Sequence, residues 1–201
     1  MDLFDQFTPP ENLLPCDGDV RYHGVVMGQG QADDFFRRLL GEIPWAHDEL
    51  VMFGRPVVTR RKVAWYGDRP FAYTYSRATK QALPWVPVLA ELKTLVEECS
   101  GERYNSCLLN LYHDGEEAMG WHSDDEAELK KHGAIASVSL GAPRRFAFRH
   151  KYSKEQVKLV LEHGSLLVMK GTTQAFWQHS LPATKGLQTP RINLTFRAMV
   201  V

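Results

Sequence analysis

The spacing of apolar positions along this chain changes period near residue 104. Before it, two stretches carry helical spacing. Residues 32–40 place Ala32, Phe35, Phe36, Leu39 and Leu40 at helical intervals, with Asp33 and Asp34 at the start and Gly41 as the stop. Residues 87–99 are the better helix: Pro87 suits a first turn, Leu89, Leu92, Leu95 and Val96 form one stripe, and Gly101 follows. Beyond residue 104 the apolar runs are short and broken by Gly-, Pro- or Asp-bearing turns. They predict strands near 106–112, 134–140, 145–149, 157–162, 165–169, 175–180 and 191–198. Many short strands without intervening helices favour an antiparallel sandwich or jelly roll over a βαβ fold, with the two helices bracing one sheet from outside. The first thirty residues, rich in Pro, Gly and Asp, predict an irregular extension packed on that core.

Composition narrows the class without changing this picture. The chain has 201 residues, 44% hydrophobic and 24% charged, enough for one domain with a sizeable core. Wholesale disorder, collagen and coiled coil are excluded, and no apolar run is long enough for a membrane span. The segment Met1-Asp2-Leu3-Phe4-Asp5 is acidic and lacks the basic start and apolar core of a signal peptide. Cys16, Cys99 and Cys107 are an odd set without paired spacing, which argues for a reducing compartment and against a thiolate zinc site. The expectation is a soluble cytoplasmic protein.

Charge is balanced overall but unevenly placed. Residues 1–50 hold ten acids and three bases, whereas Arg55 to Lys80 hold seven bases and one acid. Trp65, Tyr66, Phe71, Tyr73 and Tyr75 are interleaved with those bases. Bases that meet phosphates, mixed with rings that stack on nucleobases, suit a nucleic-acid surface; a hairpin with a solvated charged face is the plainer alternative. Arg144, Arg145, Arg149, His150, Lys151 and Lys154 form a second basic cluster.

The candidate chemistry begins at Gly120-Trp121-His122-Ser123-Asp124-Asp125-Glu126. On extended backbone His122 and Asp124 share a face and can ligate one metal. Alone the pair is a weak signal, since eight histidines and eleven aspartates supply about 0.4 such pairs by chance. His179, in Phe176-Trp177-Gln178-His179-Ser180-Leu181-Pro182, offers a third ligand. Two histidines and one carboxylate leave open positions on a non-haem Fe(II) centre, with zinc as the second choice. The strand Arg191-Ile192-Asn193-Leu194-Thr195-Phe196-Arg197 alternates strictly, with Ile192, Leu194 and Phe196 on one face and Arg191, Asn193, Thr195 and Arg197 on the other. That polar face suits either water, on an edge strand, or a small dicarboxylate held by forked guanidinium groups. In Asn105–Tyr112 the same alternation offers Asn110 and Tyr112 as a facing amide and phenol.

Taken together, Asn110-Leu111-Tyr112, His122–Glu126, Ile135–Gly141, His163–Leu167, His179–Pro182 and Pro190–Arg197 resemble the AlkB family of Fe(II)- and 2-oxoglutarate-dependent dioxygenases, over roughly residues 50–198. The nearer likeness is to the branch that repairs duplex DNA. The resemblance implies a mainly β fold with flanking helices: a double-stranded β-helix (jelly-roll) core with a nucleotide-recognition lid. It implies a single dioxygenase domain over 1–201, with an N-terminal extension and helix at 1–50, the lid at 51–86, and a helix plus catalytic core at 87–201.

The resemblance further implies that His122, Asp124 and His179 bind Fe(II), that Arg191 grips the distal carboxylate of 2-oxoglutarate, and that Arg197 lies near its chelating end. Asn110, Tyr112, Asn193 and Thr195 complete that pocket. On the substrate side it implies Phe53, Gly54 and Arg55 in a hairpin finger with an intercalating ring, Arg61 from the basic stretch, Tyr73, Tyr75 and Ser76 in the base pocket, and Asp125 and Glu126 facing the substrate. The implied reaction is oxidative demethylation of N-alkylated nucleobases in DNA, of the 1-methyladenine and 3-methylcytosine type. It consumes O2 and 2-oxoglutarate and releases succinate, CO2 and formaldehyde. The implied partner is alkylated DNA, single- or double-stranded, met by a monomer. RNA or a protein side chain as substrate, and a non-catalytic nucleic-acid-binding jelly roll, are the alternatives.

Overall fold

This computed structural model describes residues 10–52, 55–75 and 78–200, with side chains omitted at 49–57 and 72–80. All seven strands predicted beyond residue 104 are present: β7 (Ser106–Tyr112), β9 (Ile135–Gly141), β10 (Arg144–His150), β11 (Gln156–Leu161), β12 (Ser165–Lys170), β13 (Trp177–Leu181) and β14 (Arg191–Arg197). Both helices are present as well, α1 (Gln29–Glu42) and α2 (Pro87–Ser100). Pro87 opens α2 and Gly101 closes it in the left-handed conformation at φ 71°. Asp33 and Asp34 lie beyond the first turn of α1, which starts at Gln29 and has no acid there.

The strands form two facing antiparallel sheets. The larger runs β1-β12-β9-β14-β7-β3-β2, with the two-residue β6 (Leu83–Pro84) parallel to β3; the smaller runs β11-β10-β13-β8. Here β1 is Asp19–Val25, β2 Ala46–Met52, β3 Arg55–Gly67 and β8 Met119–His122. A separate hairpin joins β4 (Ala72–Tyr75) to β5 (Ala78–Gln81). This is the jelly-roll architecture expected. Two sequence expectations are corrected. The first thirty residues are not irregular throughout, because residues 19–25 pair with β12 and extend the large sheet. Strand β14 is no edge: β7 and β9 flank it on both sides, and its polar face lines the space between the two sheets.

Two apolar clusters show how the alternation of β14 is used. Ile192, Leu194 and Phe196 point outward into a core with Phe35 and Leu39 of α1 and Leu89, Leu92 and Val96 of α2. Burying several such side chains, at roughly 1.5–3 kcal/mol each, fixes which face of the large sheet the helices cover. Between the sheets, Ile135, Leu167 and Met169 pack against Phe146, Phe148, Trp177 and Leu181. Arg191, Asn193, Thr195 and Arg197 are thereby turned into the space between sheets. At the close of β9, Gly141 has φ +88°, and a methyl group there would overlap the Pro190 carbonyl and the Phe36 ring. Only glycine lets the chain pass so close to the start of β14. Among the described residues no helix is long and apolar enough to cross a membrane.

Candidate active site

The space between the sheets opens as a cavity of about 790 Å3, floored by β7, β9 and β14 and walled by β8, β13 and the β2–β3 hairpin. His122, the last residue of β8, pairs across the ladder with His179 of β13. Their rings lie 4.2 Å apart between centroids, edge to face. Asp124 follows in the loop, and its Oδ1 is 3.9 Å from His122 Nε2. One ligand atom from each of His122, Asp124 and His179 lies within 4.8 Å of the other two.

Protonation states suit a cation. The His122 Nδ1 is 2.9 Å from the Gly120 carbonyl. A carbonyl only accepts, so the ring proton sits on Nδ1 and the Nε2 lone pair faces the cluster. Burial, with help from His122 and Arg197 and against Asp124, holds the His179 pKa down to about 4, so this ring is neutral. Burial alone would raise the Asp124 carboxyl; Arg197, His179 and His122 outweigh it and keep the group ionised. Two imidazoles and one carboxylate, with the cavity on their open side, are the donor set of a non-haem Fe(II) site. A second cluster, Cys16, Asp17 and His150, also falls within 4.8 Å. There the Ser153 N–H donates to His150 Nδ1 at 3.0 Å, so the neutral ring carries its proton on Nε2 and turns no lone pair toward the cluster.

The depressed His179 pKa has a testable consequence for the metal-free protein. An unfolded histidine takes its proton near pH 6.5, whereas His179 in the fold resists until about 4. The unfolded chain therefore binds more protons in that window, and stability is lost as pH falls from 6.5 to 4. The expected loss is roughly 3 kcal/mol at about 1.4 kcal/mol per pH unit. Urea unfolding at several pH values reads it, and His179→Asn should flatten that part of the profile.

The floor beyond the triad is polar. Arg191 lies opposite Tyr112 on β7, and Asn193 lies opposite Asn110 on β7 and Ser139 on β9. Arg191 is buried, donates from Nη2 to Ser139 Oγ at 2.8 Å, and stacks its guanidinium 5.5 Å from the Tyr112 ring centre. Burial pulls its pKa down to about 10, still a cation at neutral pH. Asn193 donates to Ser137 Oγ at 2.8 Å and accepts from the Thr195 hydroxyl at 3.3 Å. Arg197 holds Asp124 at 3.0 Å and Glu126 at 3.7 Å. The Nε atoms of Arg191 and Arg197 are buried without a hydrogen-bond partner among the described residues. Buried Arg191 and partly buried Arg197, each with a spare Nε donor on one strand face that reaches the metal ligands, fit a chelating dicarboxylate such as 2-oxoglutarate.

The substrate-side residues are less uniformly placed. Asp125 is exposed at the cavity mouth, and Glu126 is half-buried against Arg197, burial raising its pKa. Arg61 lines the cavity, but its guanidinium is paired with Asp48 at 3.1 Å in a largely buried contact. Phe53, Gly54 and Ser76 lie outside the described residues; Arg55, Tyr73 and Tyr75 are described in backbone only, on β3 and β4. The interleaved aromatics divide: Trp65 lines the cavity, whereas Tyr66 and Phe71 are core residues. The second basic cluster also divides. Arg144 is fully buried and bonded to the carbonyls of Asp114, Gly115, Glu117 and Pro182, so it braces two loops and meets no phosphate. Sequence reasoning left Ser137 and Ser139 without roles, although their alternation on β9 was the available signal.

Comparison with known proteins agrees with this geometry. Residues 18–197 match the family model described as the 2OG-Fe(II) oxygenase superfamily. The chain is 42% identical to the mouse DNA oxidative demethylase ALKBH2, covering 98% of this chain and 87% of that protein. It is 41% identical to the human ALKBH2, covering 88% and 72%, and 42% identical to the bovine alpha-ketoglutarate-dependent dioxygenase alkB homolog 3, covering 84% and 62%. The solved structure of OsALKBH1 shares the fold at a TM-score of 0.64 and 18% identity, covering 92% of this chain and 98% of that one. The motif resemblance, the paired histidines beside Asp124 and these relatives converge: the chain belongs to the 2OG-Fe(II) oxygenase superfamily, in its AlkB group, and Fe(II), 2-oxoglutarate and O2 are its cofactor and cosubstrates.

Proposed function

We propose that this protein oxidatively demethylates N-alkylated nucleobases in DNA, of the 1-methyladenine and 3-methylcytosine type. The observation that carries this reading is the cavity that joins the His122–Asp124–His179 cluster to the buried arginine face of β14. The relatives named DNA oxidative demethylase, matched over most of this chain, support DNA as the substrate. His122, Asp124 and His179 would hold the iron, which when bound would supply the oxygen activation that converts 2-oxoglutarate to succinate and CO2 and hydroxylates an N-alkyl carbon.

The chain's own residues do the rest. Arg191, with Tyr112 and Ser139, orients the cosubstrate's distal carboxylate by a forked, charge-assisted contact in a site shielded from water. Asn110, Asn193 and Thr195 line the passage from that end toward the metal ligands. Arg197 keeps Asp124 ionised and aimed. A nucleobase must leave its stack to reach this depth. Alkylation at adenine N1 or cytosine N3 makes the base cationic, and the carboxylate of Asp125 at the mouth, with Glu126 behind it against Arg197, attracts that charge. Residues 51–86 are assigned to the lid that holds the nucleotide, with Tyr73 and Tyr75 beside the base. Hydroxylated N-alkyl groups then break down to formaldehyde and the restored base.

The test is direct. Purified protein loaded anaerobically with Fe(II) and 2-oxoglutarate is exposed to air with a panel of alkylated DNA and RNA oligonucleotides. Succinate release matched by loss of the methyl mass from DNA is expected. Succinate release with no change in any base would reject the reading.

The assignment to duplex DNA is tested at Phe53. A ring there can fill the gap left by a flipped base, offsetting an unstacking cost of roughly a few kcal/mol. Strand β2 ends at Met52, which pairs with Arg55 at the start of β3. Phe53→Ala should cut activity on a methylated duplex at least tenfold more than on the same lesion in a single strand. Parallel loss on both substrates, or a clear fall in melting temperature, would mark Phe53 as a core residue.

A further inference from the structure

The loop that carries Asp124 belongs to no sheet. Strand β8 ends at His122, and residues 123–126 have no ladder partners among the described residues. Asp124 is nevertheless buried, and a buried backbone N–H without an acceptor is costly. Its acceptor comes from fifty residues away: the side-chain Oε1 of Gln174 receives the Asp124 N–H at 2.9 Å. One residue earlier, the Ser123 hydroxyl donates to the Trp177 carbonyl at 2.9 Å. Both partners lie in or next to α3 (Thr173–Phe176), the short helical turn that leads directly into β13 and His179.

That turn is itself anchored. The buried Thr173 accepts the Asp19 N–H at 2.9 Å, and its hydroxyl donates to the Lys170 carbonyl at 2.7 Å. The Gln174 carbonyl accepts Lys151 Nζ at 2.8 Å, and the Phe176 carbonyl accepts the Lys151 N–H at 2.7 Å. Gln174 therefore projects from a segment tied to β1, β12 and the turn after β10. Arg197 grips the Asp124 carboxylate, but the backbone beneath that carboxylate is held by Gln174.

We propose that Gln174 is a positioning residue for the metal site, setting the carboxylate of Asp124 relative to His179 through the Asp124 backbone N–H. This inference rests on the assignment of His122, Asp124 and His179 as the metal ligands. Segment 173–179 then delivers one ligand directly and aims a second. Residues that orient a metal ligand typically contribute 10–100-fold in metal affinity or activity. A glutamate has the same length and presents the same acceptor, whereas alanine leaves the N–H unpaired.

The test reads metal binding without turnover. Mn(II) affinity is measured by paramagnetic titration for the wild type, Gln174→Ala and Gln174→Glu, and amide exchange at Asp124 is followed in the metal-free proteins. Gln174→Ala should bind Mn(II) about 10–100-fold more weakly and exchange the Asp124 amide faster. Gln174→Glu should restore both, with all three melting within a few degrees of one another. Gln174→Ala with wild-type affinity, or Gln174→Glu as weak as alanine, would overturn the proposal. Failure of the protein to act on any alkylated DNA would leave these affinities as measured and count only against the substrate assignment.

Discussion

Asp124→Asn will lower turnover by more than about 100-fold while leaving the fold close to wild type. The carboxylate is the only anionic ligand in a cluster whose other members are two imidazoles. Its loss should therefore exceed the roughly 10–100-fold that follows from losing a residue which only orients a ligand. Asparagine keeps the volume and an oxygen acceptor for Arg197, which lies 3.0 Å from Asp124 Oδ1. Alanine at the same position does something else as well. It strips a largely buried guanidinium of its nearest partner and leaves only Glu126 at 3.7 Å, and breaking a buried pair typically costs up to about 3–5 kcal/mol. Asp124→Ala should thus lose both activity and several degrees of melting temperature, and Asp124→Asn chiefly activity. Metal-controlled turnover with circular dichroism melts separates the two. Near-normal demethylation by either variant would remove Asp124 from the metal site.

Arg191→Lys is expected to raise the apparent KM for 2-oxoglutarate about 10–100-fold with little change in the KM for alkylated DNA. A hydrogen bond to a charged group contributes about 1.5–3 kcal/mol, and lysine keeps the charge while losing the planar fork. The buried setting makes the difference matter: Arg191 also binds Ser139 Oγ at 2.8 Å and stacks on Tyr112, and a lysine ammonium cannot reproduce both contacts with a carboxylate contact added. The cosubstrate-specific split is the diagnostic result. Equal changes in both KM values would mean that Arg191 supports the sheet rather than the cosubstrate.

Asp124 and Arg191 differ in how plainly the amino-acid sequence displays them. The strict alternation of Arg191–Arg197 already separates an apolar from a polar face, because side-chain direction in a strand has period two. Which face meets water is another matter. Only pairing with both β7 and β9 makes β14 a central strand, and only the docking of α1 and α2 on the Ile192 face turns the arginines inward. The His122–Asp124 spacing is visible too, but as a local pattern it occurs by chance. Ladder pairing of His122 with His179 converts it into a site.

Other residues mislead for the same reason in reverse. Arg144 looks like its neighbour Arg145 in a basic run, yet strand alternation buries the first and exposes the second. Tyr66 and Phe71 look like stacking rings beside Trp65, yet they face the core. Residues 19–25 carry too little apolar periodicity to announce a strand, and pairing with β12 makes one. Gln174 has no sequence signal at all, since its role depends on a contact spanning fifty positions.

Local rules therefore account for the elements beyond residue 104, the two bracing helices, and the residue types able to hold a metal and a dicarboxylate. Backbone period, capping residues and side-chain chemistry act over a few positions, so they can be read along the chain. Long-range pairing and burial decide the remainder: which of those side chains share one cavity, and which arginine is buried among carbonyls and which faces that cavity. Desolvation makes a buried charge costly unless the fold supplies its partner, and that partner comes from a distant strand or turn.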